Sequence, residues 1–121
     1  MNNVPSIPAA DIPAIVAAGG LILDVRTRSE HVQQRLAADH AFQPLAELDP
    51  AAFMKAQGLD KNTPVFILCR TDNRATNAAK MFADAGYPNA VVIEGGILAA
   101  AAAGVALAGT LVRKKPRPPR P

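Results

Sequence analysis

Three short apolar runs, each followed at once by a helix-start signal, constrain this chain more than any other feature. They are Leu21-Ile22-Leu23-Asp24-Val25, Val65-Phe66-Ile67-Leu68 and Ala90-Val91-Val92-Ile93. Runs this short, aliphatic and β-branched, and bounded by turn formers, read as strands buried on both faces. After the first, Thr27 and Glu30 stand in capping-box spacing and open a helix expected to run through about Ala37. After the second, Thr71, Asp72 and Asn73 read as a helix cap, with Ala75, Ala78, Ala79 and Phe82 at helical spacing up to Gly86. The third ends at Glu94-Gly95-Gly96, ahead of an alanine-rich helix from Ile97 to about Ala103. Two further helices are expected. One spans Ala9 to Ala18 before Gly19-Gly20, and the other starts at Asp49-Pro50, holds Phe53 and Met54, and stops near Gly58. Strands alternating with helices predict an α/β fold with a mostly parallel sheet, whose ligands bind at the strands' carboxyl ends.

The chain has 121 residues, enough for one domain with its own core. Half of them are apolar, but the aromatics are only Phe42, Phe53, Phe66, Phe82 and Tyr87, so alanine and the aliphatics must fill that core. The net charge of +3 belongs to a tail: Arg113, Lys114, Lys115, Arg117 and Arg120 outweigh a body with eight basic and ten acidic residues. Such a body is not a nucleic-acid-binding face, and no nucleic-acid partner is expected. The tail itself, residues 109–121, is rich in proline and basic residues and is expected to be extended and disordered. A solubilising tail without a partner is the favoured reading, and contact with a protein that reads proline helices, or with anionic lipid or RNA, is the alternative. The start of the chain carries no basic, apolar export signal, and a single cysteine forms no internal disulfide. Both features predict a reducing, cytoplasmic setting. Residues 97–112 are uncharged, but sixteen residues rich in alanine and glycine fall short of the about twenty apolar ones that a membrane span needs. No span is expected.

Cys69 follows directly on the second apolar run. It is thus predicted at the carboxyl end of a strand, in a loop opening onto a helix N-terminus, where unpaired N–H groups and the helix dipole favour an anion. By base rate a lone cysteine after a strand is an inert buried residue. Arg70 and Arg74 on either side favour the thiolate instead. Arg70 reads as a substrate-side charge or an exposed structural arginine, and Arg74 as an anion contact, because an arginine opposes the dipole in a helix's first turn. Thr71 and Asn73 are expected to give backbone amides and caps. Asp24 and Arg26, at the end of the first strand, read as an ion pair that shapes the sheet's edge beside the site, and Glu94 as structural too. His31 and His40 show no metal-ligand spacing, so no metal is expected from the sequence.

These residues together resemble the single-domain rhodanese family. The likeness rests on Asp24-Val25-Arg26-Thr27 with Glu30, Cys69-Arg70-Thr71-Asp72-Asn73-Arg74-Ala75, Ala85-Gly86-Tyr87 and Glu94-Gly95-Gly96-Ile97, in that order. The resemblance implies a rhodanese-like domain over residues 5–108, with a central, mostly parallel five-stranded sheet flanked by helices on both faces. It further implies a ping-pong sulfurtransferase. Cys69 would take a sulfane sulfur from thiosulfate or a persulfide donor, hold it as a cysteine persulfide, and pass it to a thiol or cyanide. The loop 70–74 would cradle the anionic sulfur, and no cofactor would be required. Related cysteine phosphatases place five residues between cysteine and arginine. Here four separate Cys69 from Arg74 and position 75 is alanine, a loop suited to sulfur rather than phosphate. The chain departs from the family pattern in three places. Residues 34–42 lack the usual proline and glycine, Ala100 stands where a tryptophan is usual, and Asp72 puts a carboxylate in the loop. A non-catalytic binding or sulfur-relay module, and a thiol that is simply oxidised, are the competing readings.

Overall fold

The computed structural model describes residues 4–71 and 73–110. Asp72 of the loop, and the basic proline-rich segment from residue 111 onward, therefore lie outside the described residues. The strands are β1 (Ser6–Pro8), β2 (Leu21–Asp24), β3 (Arg35–Leu36), β4 (Ala41–Phe42), β5 (Val65–Leu68), β6 (Ala90–Glu94) and β7 (Leu107–Ala108). The α-helices are α1 (Ile12–Ala17), α2 (Arg28–Gln33), α3 (Pro50–Ala56), α4 (Asn73–Asp84) and α5 (Gly96–Ala102).

The three apolar runs form the middle of a five-stranded sheet in the order β1-β6-β5-β2-β4, with every pairing parallel. Side chains alternate between its faces, as strand geometry requires. Leu23, Val65, Ile67 and Val92 point to one face, against Phe53 and Met54 of α3 and Ala75, Ala78, Ala79 and Phe82 of α4. Ile22, Leu68 and Ile93 point to the other, against Ile12 and Ile15 of α1 and Ile97 and Ala100 of α5. The expected α/β architecture, with helices on both faces, is therefore observed. Three of the five aromatics lie on the first face, where Phe82 meets Phe53 and Tyr87 edge-on, with ring centroids 6.0 and 6.4 Å apart. Ala100 is fully buried, so α5 closes on its neighbours through a small side chain.

The caps read at Thr27 and Asp49 are observed, while the one read at residues 71–73 includes Asp72, outside the described residues. The Thr27 hydroxyl accepts the Glu30 N–H at 3.2 Å while the Glu30 carboxylate accepts the Thr27 N–H at 3.1 Å. Asp49 accepts from the Ala52 N–H at 3.2 Å and opens α3. Helix α2, however, stops at Gln33 instead of continuing to Ala37. Gln34 is extended, and its carbonyl, like that of Glu30, is taken by the Arg26 guanidinium, at 2.5 and 3.4 Å. The chain then pairs antiparallel with β7, Arg35 opposite Ala108 and Leu36 opposite Leu107. Ordered pairing passes residue 108, since Thr110 N–H donates to the Val32 carbonyl at 3.1 Å. Among the described residues no helix is long and apolar enough to cross a membrane.

Candidate active site

Cys69 is the first residue past β5, where the parallel sheet directs its strand ends toward one rim. Its surroundings are tighter than an open loop would give: the residue is 1% exposed and packs with the α3–α4 core. Its carbonyl accepts the Ile97 N–H at 2.8 Å, and the Arg70 carbonyl accepts the Leu98 N–H at 3.3 Å. The start of α5 thus holds the cysteine's backbone from behind. Gly96 makes this approach feasible. Its φ is +57°, and a Cβ there would lie 2.3 Å from the Cys69 carbonyl oxygen and 2.6 Å from the Arg70 carbonyl carbon. The Gly95-Gly96 pair is visible in the sequence, but its contact with the cysteine loop is a product of the fold.

Arg70 and Thr71 are exposed beside the buried thiol, and Asn73 is exposed where α4 begins. The N–H groups of Asn73 and Arg74, at the start of that helix, have no acceptor within it. Arg74 has a partner that the sequence reading assigned only to a helix cap. Its Nη1 donates to Glu30 Oε1 at 2.5 Å and its Nη2 to Oε2 at 2.8 Å. Glu30 thus serves the capping box of α2 and the arginine of α4 at once. The paired guanidinium, helped by the Thr27 N–H and hydroxyl and opposed by partial burial, lowers the Glu30 pKa to about 2. The same pair raises Arg74, and the charges of Cys69 and Asp24 add to that rise, so Arg74 lies within electrostatic reach of the thiol.

Asp24 and Arg26 form a buried pair at the end of β2, the strand beside β5. Arg26 Nη2 meets Asp24 Oδ2 at 2.7 Å, and Nε lies 3.1 Å from both carboxylate oxygens. The Arg26 N–H caps Oδ1 at 2.9 Å. Between them, Val25 N–H donates to the Leu68 carbonyl at 2.9 Å and ties β2 to the residue just before Cys69. The pair and Glu30 therefore brace the rim from which the cysteine loop rises. Glu94, expected to be structural, accepts from the Ser6 hydroxyl at 2.6 Å across the β1–β6 edge.

Comparison with known proteins agrees with this geometry. The family model described as "Rhodanese-like domain" matches residues 9–103. An uncharacterized protein of Synechocystis sp. is 32% identical over 85 residues, which are 70% of this chain and 45% of that protein. The chain thus spans about half the length of the curated relative it matches. The solution structure of a Rhodanese-like domain from Anabaena sp. superposes with a TM-score of 0.75 at 21% identity, covering 98% of this chain and 89% of that one. A rhodanese-related protein from Thermoplasma volcanium gives 0.69 at 28% identity, covering 86% and 97%. Thiosulfate sulfurtransferase from Pseudomonas aeruginosa gives 0.74 at 26% identity, covering 91% of this chain and 21% of that one. With the parallel sheet, the strand-end cysteine and the family model all in agreement, the chain belongs to the Rhodanese-like domain family.

Proposed function

We propose that this protein is a sulfurtransferase in which Cys69 carries the transferred sulfur as a persulfide. The observation that carries the reading is the placement of the lone thiol at the end of β5, between the start of α4 and the N-terminal turn of α5, with Arg74 in electrostatic reach. In the first half-reaction the Cys69 thiolate attacks the outer sulfur of thiosulfate. An S–S bond forms to the cysteine, the donor's S–S bond breaks, and sulfite leaves with the electron pair. In the second, cyanide or a cellular thiolate attacks the outer sulfur of the persulfide, takes it as thiocyanate or a new persulfide, and returns the Cys69 thiolate. Splitting the transfer in this way lets donor and acceptor use the same site in turn.

The persulfide's negative charge needs donors fixed before it forms, and the N–H groups at the start of α4, without acceptors inside the helix, are suited to that role. Arg70, exposed at the rim, is the charge that meets an anionic donor. Arg74, held by Glu30, keeps a positive charge near the sulfur. A cytoplasmic site of action, small sulfur donors and acceptors, and the absence of any cofactor requirement belong to the same reading. A relay module that takes up sulfur without turning over is the second reading, and the near-complete burial of Cys69 favours it.

Intact mass after incubation with thiosulfate, followed by a cyanide chase with thiocyanate detection, separates the two. The expected result is one added sulfur on Cys69 that cyanide removes over repeated cycles. Uptake without repeated release would establish the relay, and no adduct from thiosulfate or a persulfide donor would end both.

A further inference from the structure

Folding assembles a cluster that the spacing of the histidines does not reveal. His31 lies in α2, His40 immediately precedes β4, and Asp24 ends β2; one donor atom from each lies within 4.8 Å of the other two. The two imidazoles face each other directly, Nε2 to Nε2, at 2.8 Å. Their orientations are fixed. The His31 ring stacks on Phe42 with centroids 4.2 Å apart, and His40 Nδ1 lies 2.8 Å from the Ala38 carbonyl oxygen.

These contacts define the protonation pattern. A carbonyl only accepts, so His40 Nδ1 carries the proton and its Nε2 presents a bare lone pair. That arrangement, Nδ1–H on a backbone carbonyl with Nε2 turned inward, is the one that orients a metal-bound histidine. His31 Nε2–H fills the gap between the rings as a hydrogen-bond donor.

We infer that His31 and His40, with the Asp24 carboxylate as the third group, form a binding site for a divalent first-row metal ion, Zn²⁺ in the first instance. Two imidazoles and a carboxylate are a donor set such ions favour. Zinc bonds to nitrogen of about 2.0–2.1 Å at a tetrahedral angle require nitrogens about 3.3 Å apart. The two rings need therefore open by only about half an ångström. On binding, the His31 proton moves through solvent from Nε2 to Nδ1, and the metal takes its place between the rings with no net change in bound protons. Both histidines are partly exposed, which provides a way in and leaves a coordination position for water.

Two features limit the affinity. Arg26 already engages both oxygens of Asp24, and the Arg35 guanidinium lies over α2, 3.4 Å from the carbonyls of His31 and Val32. Such a site binds far more weakly than a closed structural zinc site. Its effect would be local: it clamps α2 to the segment 34–40, where this chain departs from the family pattern, one residue from Glu30.

The test titrates the full-length protein and its Cys69→Ala variant with Zn²⁺ by calorimetry, so that a thiolate site is distinguished from this one. The same titration is run on His31→Gln and His40→Gln, after their melting curves establish that they are folded. One equivalent bound with or without Cys69, and at least about tenfold weaker in either histidine variant, is expected. In ¹⁵N spectra of the folded wild-type imidazoles, the Nε2 signals of both rings should move on adding Zn²⁺. Binding lost with Cys69, unaltered affinity in both histidine variants, or unmoved Nε2 signals would overturn the proposal.

Discussion

Arg74 of α4 grips the carboxylate of Glu30 in α2 with both of its terminal nitrogens, joining two helices across 44 positions of sequence. This contact ties the cysteine loop to the end of β2, because Glu30 also closes the capping box on Thr27 and lends its carbonyl to Arg26. An arginine in a helix's first turn opposes the dipole. Here the opposing charge is met by a fixed carboxylate rather than left to a ligand alone.

The pair sets an acid limit on stability. The Glu30 pKa falls from its ordinary 4.5 to about 2 in the folded chain, chiefly through Arg74. A carboxylate whose pKa is lowered on folding stabilises fully above its unfolded value and loses that contribution as pH falls through the folded value. Glu30 should thus contribute above about pH 4.5 and cease to do so near pH 2. Because its side chain is 27% exposed, solvent screening holds the contribution to about 1 kcal/mol. Urea titrations across that range should show Glu30→Gln with a flatter acid limb than wild type and equal stability at the acid end. A parallel acid limb in the variant would assign the pH dependence elsewhere.

Cys69→Ala should abolish persulfide formation and thiocyanate release while leaving the fold. The residue is buried, but the change removes a single heavy atom from a core built of alanine and aliphatics, so a cost of about 1 kcal/mol is expected. Intact mass reads the first effect and chemical denaturation the second. Retained turnover would sink the persulfide mechanism.

Gly96→Ala tests whether the α5 turn seats the cysteine loop. The added methyl would strike the Cys69 and Arg70 carbonyl groups, and the residue already sits at φ +57°. Backbone cannot yield as a side-chain tip does, so a loss of more than about 2 kcal/mol is expected. Sulfur loading of the folded fraction should slow as well. A variant with wild-type stability and loading rate would refute the seating role.

Arg26→Met leaves the Asp24 carboxylate buried without its partner, which costs about 3–5 kcal/mol at comparable sites. The carbonyls of Glu30 and Gln34 lose a donor at the same time. Hydrogen exchange should therefore quicken in α2 and in residues 34–36 before the rest of the sheet. Uniform exchange across the molecule would point to a global effect instead.

Much of the fold is legible in local pattern. β5 is apolar throughout, and β2 and β6 are apolar up to the Asp24 and Glu94 that end them, because a strand covered on both faces has no polar side to show. The starts of α2 and α3 are written as side-chain caps a few residues apart. The strand-end position of Cys69 is legible in the same way, and its near-complete burial matches the base rate for a lone cysteine after a strand rather than an open loop. The edge strands are different. Ser6-Ile7-Pro8 and Ala41-Phe42 carry no strand signature, and Pro8 is tolerated only because β1 lies at the edge.

What the sequence determined by itself was the alternation of buried strands and capped helices, and with it the placement of a single thiol where strand ends meet a helix start. Those features depend on neighbours within a turn or on the apolar character of a run. Only the tertiary structure decided that α2 ends early for Arg26, that Glu30 belongs to Arg74 as well as to Thr27, that Gly96 supports Cys69, and that His31 meets His40. The physical reason is common to all four. Each joins groups brought together by packing, and a carboxylate, a glycine or an imidazole carries no mark in the chain of the partner that packing will supply.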